Sequence, residues 1–255
     1  MAKNWAEIFS ACVGEGASKV TRQVWRDVFG SEYPEGVEPY SYLSRSELTR
    51  FCAEVGVSEV SHLVDVGCGQ GGPGLWVAAH TGARLTGVDI AETALRTSEQ
   101  RAHCLQLASR ARFLSGSFDA LPLETRSADA IMSVDALLFS PDKRAAIVEM
   151  SRVLRREGRL VFTSWDYHSQ PAGRPPQVED HRPLLDVCGF DVRVYDVTED
   201  WLGRQSRVGA GLLAAVEELA AESGGDVAKV RRALEEMVAT IGTMLRRVFV
   251  VAYKK

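Results

Sequence analysis

Short apolar runs alternate with longer amphipathic segments from residue 62 onward. A run of roughly four to eight apolar residues is typical of a buried strand, and apolar residues spaced three or four positions apart are typical of a helix. The runs that predict strands are HLVDV, RLTGVDI, ARFLSG, ADAIMSVDA, RLVFTSW, FDVRVYDV and VFVVAY, in this order. Because strands alternate with helices, the pattern predicts an α/β fold with a parallel, doubly wound sheet.

The part of the chain before these strands is predicted to be largely helical. Apolar residues recur at helical spacing in two sets, Trp5, Ile8, Phe9, Cys12 and Val13, then Val20, Val24, Trp25 and Val28. A third helix, SRSELTRFCAEVG, closes at a glycine, which is a common helix end. We predict a helical cap over residues 1–56, followed by the sheet domain over residues 57–255.

Two amphipathic helices are predicted between the sixth and seventh strands. One passes through Val208, Leu212, Val216 and Leu219, and the other through Val227, Val230, Leu234, Met237 and Ile241. An α/β sheet needs only a short connection at this point, so we interpret residues 199–244 as a lid on the substrate side. The alternative is that the apolar stripes pack on the sheet or on another subunit, which leaves a homodimer open.

Composition and charge favour a small or neutral partner. The 255-residue chain has a formal charge of −4, which gives no general reason to approach nucleic acid or an anionic membrane. Arginine pairs such as Arg246 and Arg247 are scattered among acidic residues and predict a solvated face. Five widely spaced cysteines without CxxC pairs predict reduced thiols and no zinc. No apolar stretch has the length of a membrane span, so we expect a cytoplasmic protein.

The clearest chemical signal is a glycine-rich loop in the segment LVDVGCGQGGPG, which joins the first strand to a helix beginning near Pro73. Such a loop lets a ligand approach bare backbone. Gly67, Gly69 and Gly72 fit the pattern GxGxxG, whereas Gly67, Gly69 and Gly71 fit GxGxG. The glycines alone therefore leave both a dinucleotide and S-adenosylmethionine open as the ligand.

Two acidic residues near this loop distinguish the ligands. Asp65 stands beside the place where a dehydrogenase would hold a pyrophosphate, and a cationic ligand suits that position better. S-adenosylmethionine carries a sulfonium and an ammonium group and no phosphate. Asp89 ends the second strand about 20 residues after the glycines, where a carboxylate would accept the hydroxyls of a ribose. The alternative for Asp89 is the N-cap of the next helix.

Together these residues resemble the class I S-adenosylmethionine-dependent methyltransferases, in the small-molecule branch that includes natural-product and ubiquinone-biosynthesis enzymes. The resemblance runs from about residue 61 to residue 166 and includes an arginine-valine-leucine element before the fifth strand. It implies a Rossmann-like, doubly wound, seven-stranded and mostly parallel sheet with an antiparallel last strand, plus a helical cap. It also implies S-adenosylmethionine as the cofactor.

The resemblance extends to individual positions. Asp119 would accept from the adenine amine and Phe118 would line the adenine, although GSFD alone could be an ordinary turn. Ser133 and Leu138 would border the methionine moiety, and Tyr42 of the cap would close over the cofactor unless it is a plain core tyrosine. The implied cofactor-binding residues are Tyr42, Asp65, Gly67, Gly69, Gly71, Asp89, Ile90, Ser117, Phe118, Asp119, Ser133 and Leu138.

The chain departs from the family where a general base is expected. Many relatives that methylate hydroxyls carry histidines after the fourth strand, where this chain has Leu138 and Phe139. A positioned base is worth about 10²-fold or more in rate, and phenols, enols and amines need less help. We predict Asp135 and His168 as catalytic substitutes, the alternatives being a helix cap or cofactor contact for Asp135 and an exposed loop histidine for His168. No acidic cluster with a lysine base matches the magnesium-dependent branch, so we expect no metal.

These observations predict methyl transfer by in-line displacement to a small-molecule acceptor, of the kind found in secondary metabolism. Aromatic residues of the cap and lid, Trp5, Trp25, Phe29, Tyr33 and Trp201, favour an apolar or aromatic acceptor. Two alternatives remain at this stage. One is a protein that binds the cofactor but catalyses a non-methylating cyclisation or rearrangement. The other is a nicotinamide-dependent oxidoreductase, for which Asp65 is a poor fit.

Overall fold

The computed structural model describes residues 17–37 and 42–255. The helix predicted from Trp5 to Val13 lies outside this range. The described part begins with α1 (Lys19–Phe29), which starts at the Ser18 N-cap and is followed by a short 3₁₀ turn (Gly30–Glu32). Next comes α2 (Arg45–Val55), held at its start by a reciprocal capping box between Ser44 and Glu47 and ended by Gly56 in the left-handed conformation. Both predicted helices are confirmed.

The predicted sheet is also confirmed. Its strands are β1 (His62–Val66), β2 (Arg84–Asp89), β3 (Ala111–Ser115), β4 (Ala128–Val134), β5 (Leu154–Tyr167), β6 (Phe190–Asp196) and β7 (Met244–Lys254). The strand order is β3-β2-β1-β4-β5-β7-β6. The pairs from β3 to β5 are parallel, and β7 is antiparallel to both of its neighbours. The carboxyl ends of β1, β2, β4 and β5 therefore meet at one edge.

Helices cover both faces of the sheet. The connecting helices are α3 (Gly72–Thr81), α4 (Glu92–Cys104), α5 (Lys143–Val153), α6 (Arg182–Val187), α7 (Thr198–Ala214), α8 (Val216–Ser223) and α9 (Val227–Ile241), with a 3₁₀ turn at Leu137–Phe139. Apolar residues of α2, α3 and α4 pack on one face, and those of α5 and α6 pack on the other. Burial from both sides explains why the strands are almost continuously apolar.

The region between β6 and β7 differs from its prediction. The single helix expected through Val208 and Leu219 is divided at Ala215, whose ψ angle of 20° interrupts the helical backbone. Both halves contact α1, and this packing overrides the continuous local pattern. The apolar side of α9 contains no fully buried residue, and Leu234 and Met237 are only partly covered. The cap and lid boundaries remain predictions.

A helix that crosses a bilayer must be long and apolar. Within the described ranges, no helix is both long enough and apolar enough to cross a membrane.

Candidate active site

The glycine loop turns from β1 into α3 through three residues with positive φ. The φ angles of Gly67, Gly69 and Gly71 are +73°, +51° and +73°, which disfavour any residue with a side chain. A Cβ on Gly67 would lie 2.5 Å from the Ala136 Cβ, whereas a Cβ on Gly69 would meet nothing within 4 Å. Gly67 is thus required by packing, and Gly69 borders open space where a ligand can approach the backbone.

Asp89 ties the end of β2 to this loop. Its Oδ2 accepts a hydrogen bond from the Gly69 N–H at 2.8 Å, and its Oδ1 accepts from the Ala91 N–H at 2.9 Å. The N-cap of α4 is Ala91, so the alternative assignment of Asp89 as the N-cap is wrong. Burial raises the pKa of Asp89, and its backbone hydrogen bonds act in the opposite direction. Ile90, the next residue, is 36% exposed at the same edge.

Asp65 is a buried carboxylate that lacks a counter-charge. It is 1% exposed; the Gly74 N–H approaches it from the start of α3, but within the described part of the chain neither oxygen has a hydrogen bond of ordinary geometry. A Cβ on Gly74 would come within 2.6 Å of its Oδ2, so only glycine lets α3 approach this closely. Burial, followed by the charge of Asp89, raises the pKa of Asp65 to about 7. An unpaired buried carboxylate is costly, and it suits a ligand with a positive charge.

The other residues predicted around the glycine loop lie on the same edge of the sheet. The Phe118 ring stands beside the loop, because its Cζ lies 3.2 Å from a Cβ built on Gly67. The Ser117 hydroxyl donates to Asp119 Oδ1 at 2.5 Å. The Ser133 hydroxyl is buried and donates to the Val66 carbonyl, which joins β4 to β1. Whether these side chains contact a cofactor stays a prediction.

Tyr42 and Leu138, two of the predicted cofactor residues, belong to a second group, which we call the aromatic cluster. It consists of Tyr42, Leu138, Phe139, Trp165, Tyr167, Trp201, Ile241 and Met244. The rings of Trp165 and Trp201 meet edge to face at 5.6 Å, and those of Tyr42 and Trp201 at 6.0 Å. Tyr42 also stacks on Trp25 at 5.6 Å. The cluster follows the ends of β4 and β5, next to the glycine-loop edge.

The predicted aromatic lining is therefore divided. Trp201 lies in the aromatic cluster, and Trp25 reaches it through Tyr42. Phe29 and Tyr33 pack between α1 and α7, and Trp5 lies outside the described residues. Sequence reasoning missed Trp165 and Tyr167, whose alternation along β5 directs them to the same side as Thr163.

Asp135 is held by an ion cluster that the sequence did not predict. Arg247 Nη2 lies 3.3 Å from both carboxylate oxygens of Asp135, and its Nη1 contacts Glu47. The solvated surface predicted for Arg247 is wrong, because its side chain is completely buried. Period-2 alternation with Phe249 and Val251 along β7 turns it inward.

The backbone of Asp135 is unusual as well. Its φ angle is +49°, in the left-handed region that residues with a side chain rarely adopt. Its N–H is directed to Thr163, at 3.2 Å from the carbonyl and 3.1 Å from the hydroxyl. A strained, 9% exposed carboxylate at the end of β4 is well placed for a ligand contact.

The two histidines near this edge have different surroundings. His168 is exposed, and its Nε2 lies 2.9 Å from the Gly242 carbonyl, so its catalytic role remains a prediction. His181 is completely buried with Nδ1 2.5 Å from Asp166, which also accepts from Arg246. The ring of His181 packs near Phe162, on the face covered by α5 and α6.

A buried lysine fixes the loop after β4. Lys143 Nζ donates to the carbonyls of Leu138, Ser140 and Pro176, and burial lowers its pKa to about 8. These bonds connect the loop that carries Leu138 to the segment after β5. At the start of an amphipathic helix, a lysine gives no local sign of such a role. Among the described residues, no three His, Cys, Asp or Glu side chains converge as a metal site.

Comparison with known proteins agrees with this geometry. Residues 64–162 match the methyltransferase domain family. The methyltransferase GfsG of Streptomyces halstedii is 29% identical over 162 residues, which are 61% of this chain and 58% of GfsG. The alignment thus spans less than two thirds of that relative.

Solved structures share the fold over nearly the whole chain. The [4+2]-cyclase SpnF superposes with a TM-score of 0.72 at 23% identity and 92% coverage of both chains. Geranyl diphosphate C-methyltransferase from Streptomyces coelicolor, in complex with Mg²⁺, geranyl diphosphate and S-adenosyl-L-homocysteine, gives 0.71 at 16% identity, covering 100% of this chain and 99% of the other. The glycine loop, its two carboxylates and the matched domain lead to one conclusion: residues 64–162 form a methyltransferase domain, whose cofactor is S-adenosylmethionine.

Proposed function

We propose that the protein transfers a methyl group from S-adenosylmethionine to a small, apolar or aromatic acceptor without a metal ion. The observation that carries the proposal is the position of two sites at one edge of the sheet. The glycine loop follows β1, and the aromatic cluster lies at the ends of β4, which is the neighbour of β1, and of β5, which is the next strand. Ligands of doubly wound folds bind at this edge, where the strand order reverses.

The residues around the glycine loop fit the cofactor. Asp65 supplies a negative charge toward the positive methionine end, and Gly69 leaves backbone exposed. Asp89 is held by two backbone N–H groups in an orientation where its remaining lone pairs can accept ribose hydroxyls. Phe118 lies against the glycine loop and would pack on the adenine ring. Ile90, Ser117 and Asp119 would contact the same part of the cofactor. When bound, the cofactor supplies a methyl group attached to a sulfonium sulfur, and this sulfur becomes a neutral thioether when the methyl group is transferred.

The protein would position the acceptor, exclude water and accept the proton that the acceptor loses. Most of the rate can come from holding the acceptor atom about 3 Å from the methyl carbon in line with the breaking bond. The aromatic cluster provides an apolar surface from which water is excluded. Asp135 would accept a hydrogen bond from the acceptor and receive its proton. A carboxylate is a weak base, so it suits phenols and enols, which are more acidic than alcohols.

The test is transfer of an isotopic label. We expect trideuteromethyl S-adenosylmethionine to yield S-adenosylhomocysteine and a labelled acceptor in equal amounts, detected by mass spectrometry across a panel of neutral phenols and enols. Label that enters RNA or protein, and no small molecule, would contradict the proposal. Asp191→Ala, on the exposed side of β6, is the matched control for substitution of Asp65 or Asp89.

A second candidate is a non-methylating cyclisation or rearrangement. It is favoured by the fold shared with the cyclase SpnF and by the replacement of the usual histidines with Leu138 and Phe139. The same experiment separates the two functions, because a cyclase would convert the acceptor while no label is incorporated and no S-adenosylhomocysteine accumulates.

A further inference from the structure

Several buried polar atoms of the aromatic cluster have no hydrogen-bond partner. In the described part of the molecule these include Trp165 Nε1, Tyr167 Oη and Trp201 Nε1, and the three residues are no more than 4% exposed. Buried polar groups of native proteins are nearly always paired, with protein, with ordered water or with a bound ligand. Three unpaired groups in one cluster at the catalytic edge therefore indicate a ligand that completes them.

The chemistry of these atoms restricts the ligand. Each indole Nε1 is a donor only, and a tyrosine hydroxyl also donates. The unpaired Nε of Arg247, whose guanidinium lies 5.8 Å from the Trp165 ring, is another donor. The ligand must therefore present several hydrogen-bond acceptors.

The amide oxygen of Gln205 requires a hydrogen-bond donor on the ligand. Gln205 is 2% exposed on α7, and its Oε1 has no partner in the described structure. Gln205 also contributes a side-chain hydrogen bond to Tyr42, which places it at the aromatic cluster. A hydroxyl group on the ligand would satisfy this amide oxygen.

The charge balance of the site disfavours a charged acceptor. The carboxylate of Asp135 already shares the guanidinium of Arg247 with Glu47, so an ammonium group would have to compete with this buried cation. An ammonium would also present further donors to a cluster that consists mainly of donors. Arg174, beside Phe139, could oppose part of the charge of a phosphate, but a phosphate would still have to lose much of its hydration among the aromatic rings.

We propose that the acceptor is an uncharged molecule whose apolar frame carries both carbonyl or ether oxygens and hydroxyl groups, and that Trp165, Tyr167 and Trp201 recognise the carbonyl or ether oxygens. The inference rests on the proposed function, because it places the acceptor in the aromatic cluster. An uncharged acceptor of this kind excludes diphosphates and small amines as the substrates of this chain.

A matched series of ligands tests the proposal. The probes are 2-naphthols with the same ring and an acetyl, ethyl, aminomethyl or phosphonomethyl group at position 6. Their dissociation constants are measured by calorimetry on protein saturated with S-adenosylhomocysteine. We expect the acetyl compound to bind roughly ten-fold more tightly than the ethyl compound, since loss of the carbonyl leaves buried donors unpaired. The two charged compounds should bind more weakly than both.

Substitutions that remove only the donors complete the test. Trp165→Phe, Tyr167→Phe and Trp201→Phe keep an aromatic ring and should reduce the preference for acetyl over ethyl. Trp76→Phe, on α3 beside His80 and outside the aromatic cluster, is the matched control and should leave the preference unchanged. The wild-type series remains decisive if a variant fails to fold.

Three results would overturn the inference. These are tighter binding of the aminomethyl or phosphonomethyl compound, an acetyl preference that persists in all three Phe variants, and no binding of any naphthol to protein that holds S-adenosylhomocysteine. The phosphonomethyl compound also tests whether Arg174 attracts an anionic ligand, because the Arg174 guanidinium lies 4.8 Å from the Phe139 ring. Failure to bind S-adenosylhomocysteine would instead count against the proposed function.

Discussion

Single residues at the candidate site bear costs that packing alone does not explain. Asp65 is buried without a counter-charge, and Asp135 has a positive φ angle. Trp165 and Trp201 bury indole N–H groups that have no partner in the described structure. Costs of this kind concentrate where a protein binds ligands, because the bound molecule supplies the missing partners. Substitutions of these single residues therefore test the site.

Replacing Asp65 should stabilise the ligand-free protein while weakening cofactor binding. Its pKa is raised from the ordinary 3.8 to about 7, so the folded state binds the proton more tightly than the unfolded state does. The ionised carboxylate consequently destabilises the fold, increasingly as pH rises from about 4 to 7. We expect Asp65→Asn to gain about 1–4 kcal/mol in unfolding free energy at pH 8, measured by urea denaturation.

The same variant should bind S-adenosylmethionine at least about ten-fold more weakly at pH 8, because one charge interaction is removed. In the wild type, affinity should rise with pH through 7 as Asp65 ionises, and the variant should lack this rise. A variant that is less stable than the wild type at pH 8, or that retains the pH dependence, would contradict this account.

At the scale of elements, the cap helix α2 is joined to the catalytic edge through β7. Glu47 of α2 and Asp135 after β4 share the guanidinium of Arg247, the completely buried arginine of β7. Glu47 also completes the capping box that starts α2. The start of the cap helix and the carboxylate proposed as the base are thus held by one cation.

Substitution of this cation should be strongly destabilising. Arg247→Met leaves the buried carboxylate of Asp135 and the partly buried carboxylate of Glu47 without a counter-charge, and we expect a loss of about 3–5 kcal/mol in unfolding free energy. Thermal and urea denaturation measure the effect, and Arg156→Met, at an exposed position of β5, is the control. Adding Glu47→Gln and Asp135→Asn to Arg247→Met should recover much of the loss. A change below about 1 kcal/mol in Arg247→Met would show that the cluster contributes little.

At the scale of the whole molecule, the sheet was predictable because its signals are local. Strand and helix periodicities, the glycine loop and the acidic strand ends each lie within about ten residues, so neighbouring positions determine them. The aromatic cluster and the ion cluster depend on contacts between distant segments, such as the pairing of Glu47 with Arg247. The alternation of β7 contains the signal for Arg247, but an adjacent arginine pair favoured a surface interpretation. The break at Ala215 likewise follows from packing on α1.

Calorimetric titration measures whether the glycine loop and Asp89 bind S-adenosylmethionine. We expect micromolar dissociation constants for both S-adenosylmethionine and S-adenosylhomocysteine. Asp89→Ala should weaken both by at least about ten-fold, because it removes the carboxylate that accepts from Gly69 and faces the ribose position. Asp191→Ala should bind like the wild type. No binding to folded wild-type protein, or equal binding by Asp89→Ala, would contradict this assignment of the cofactor site.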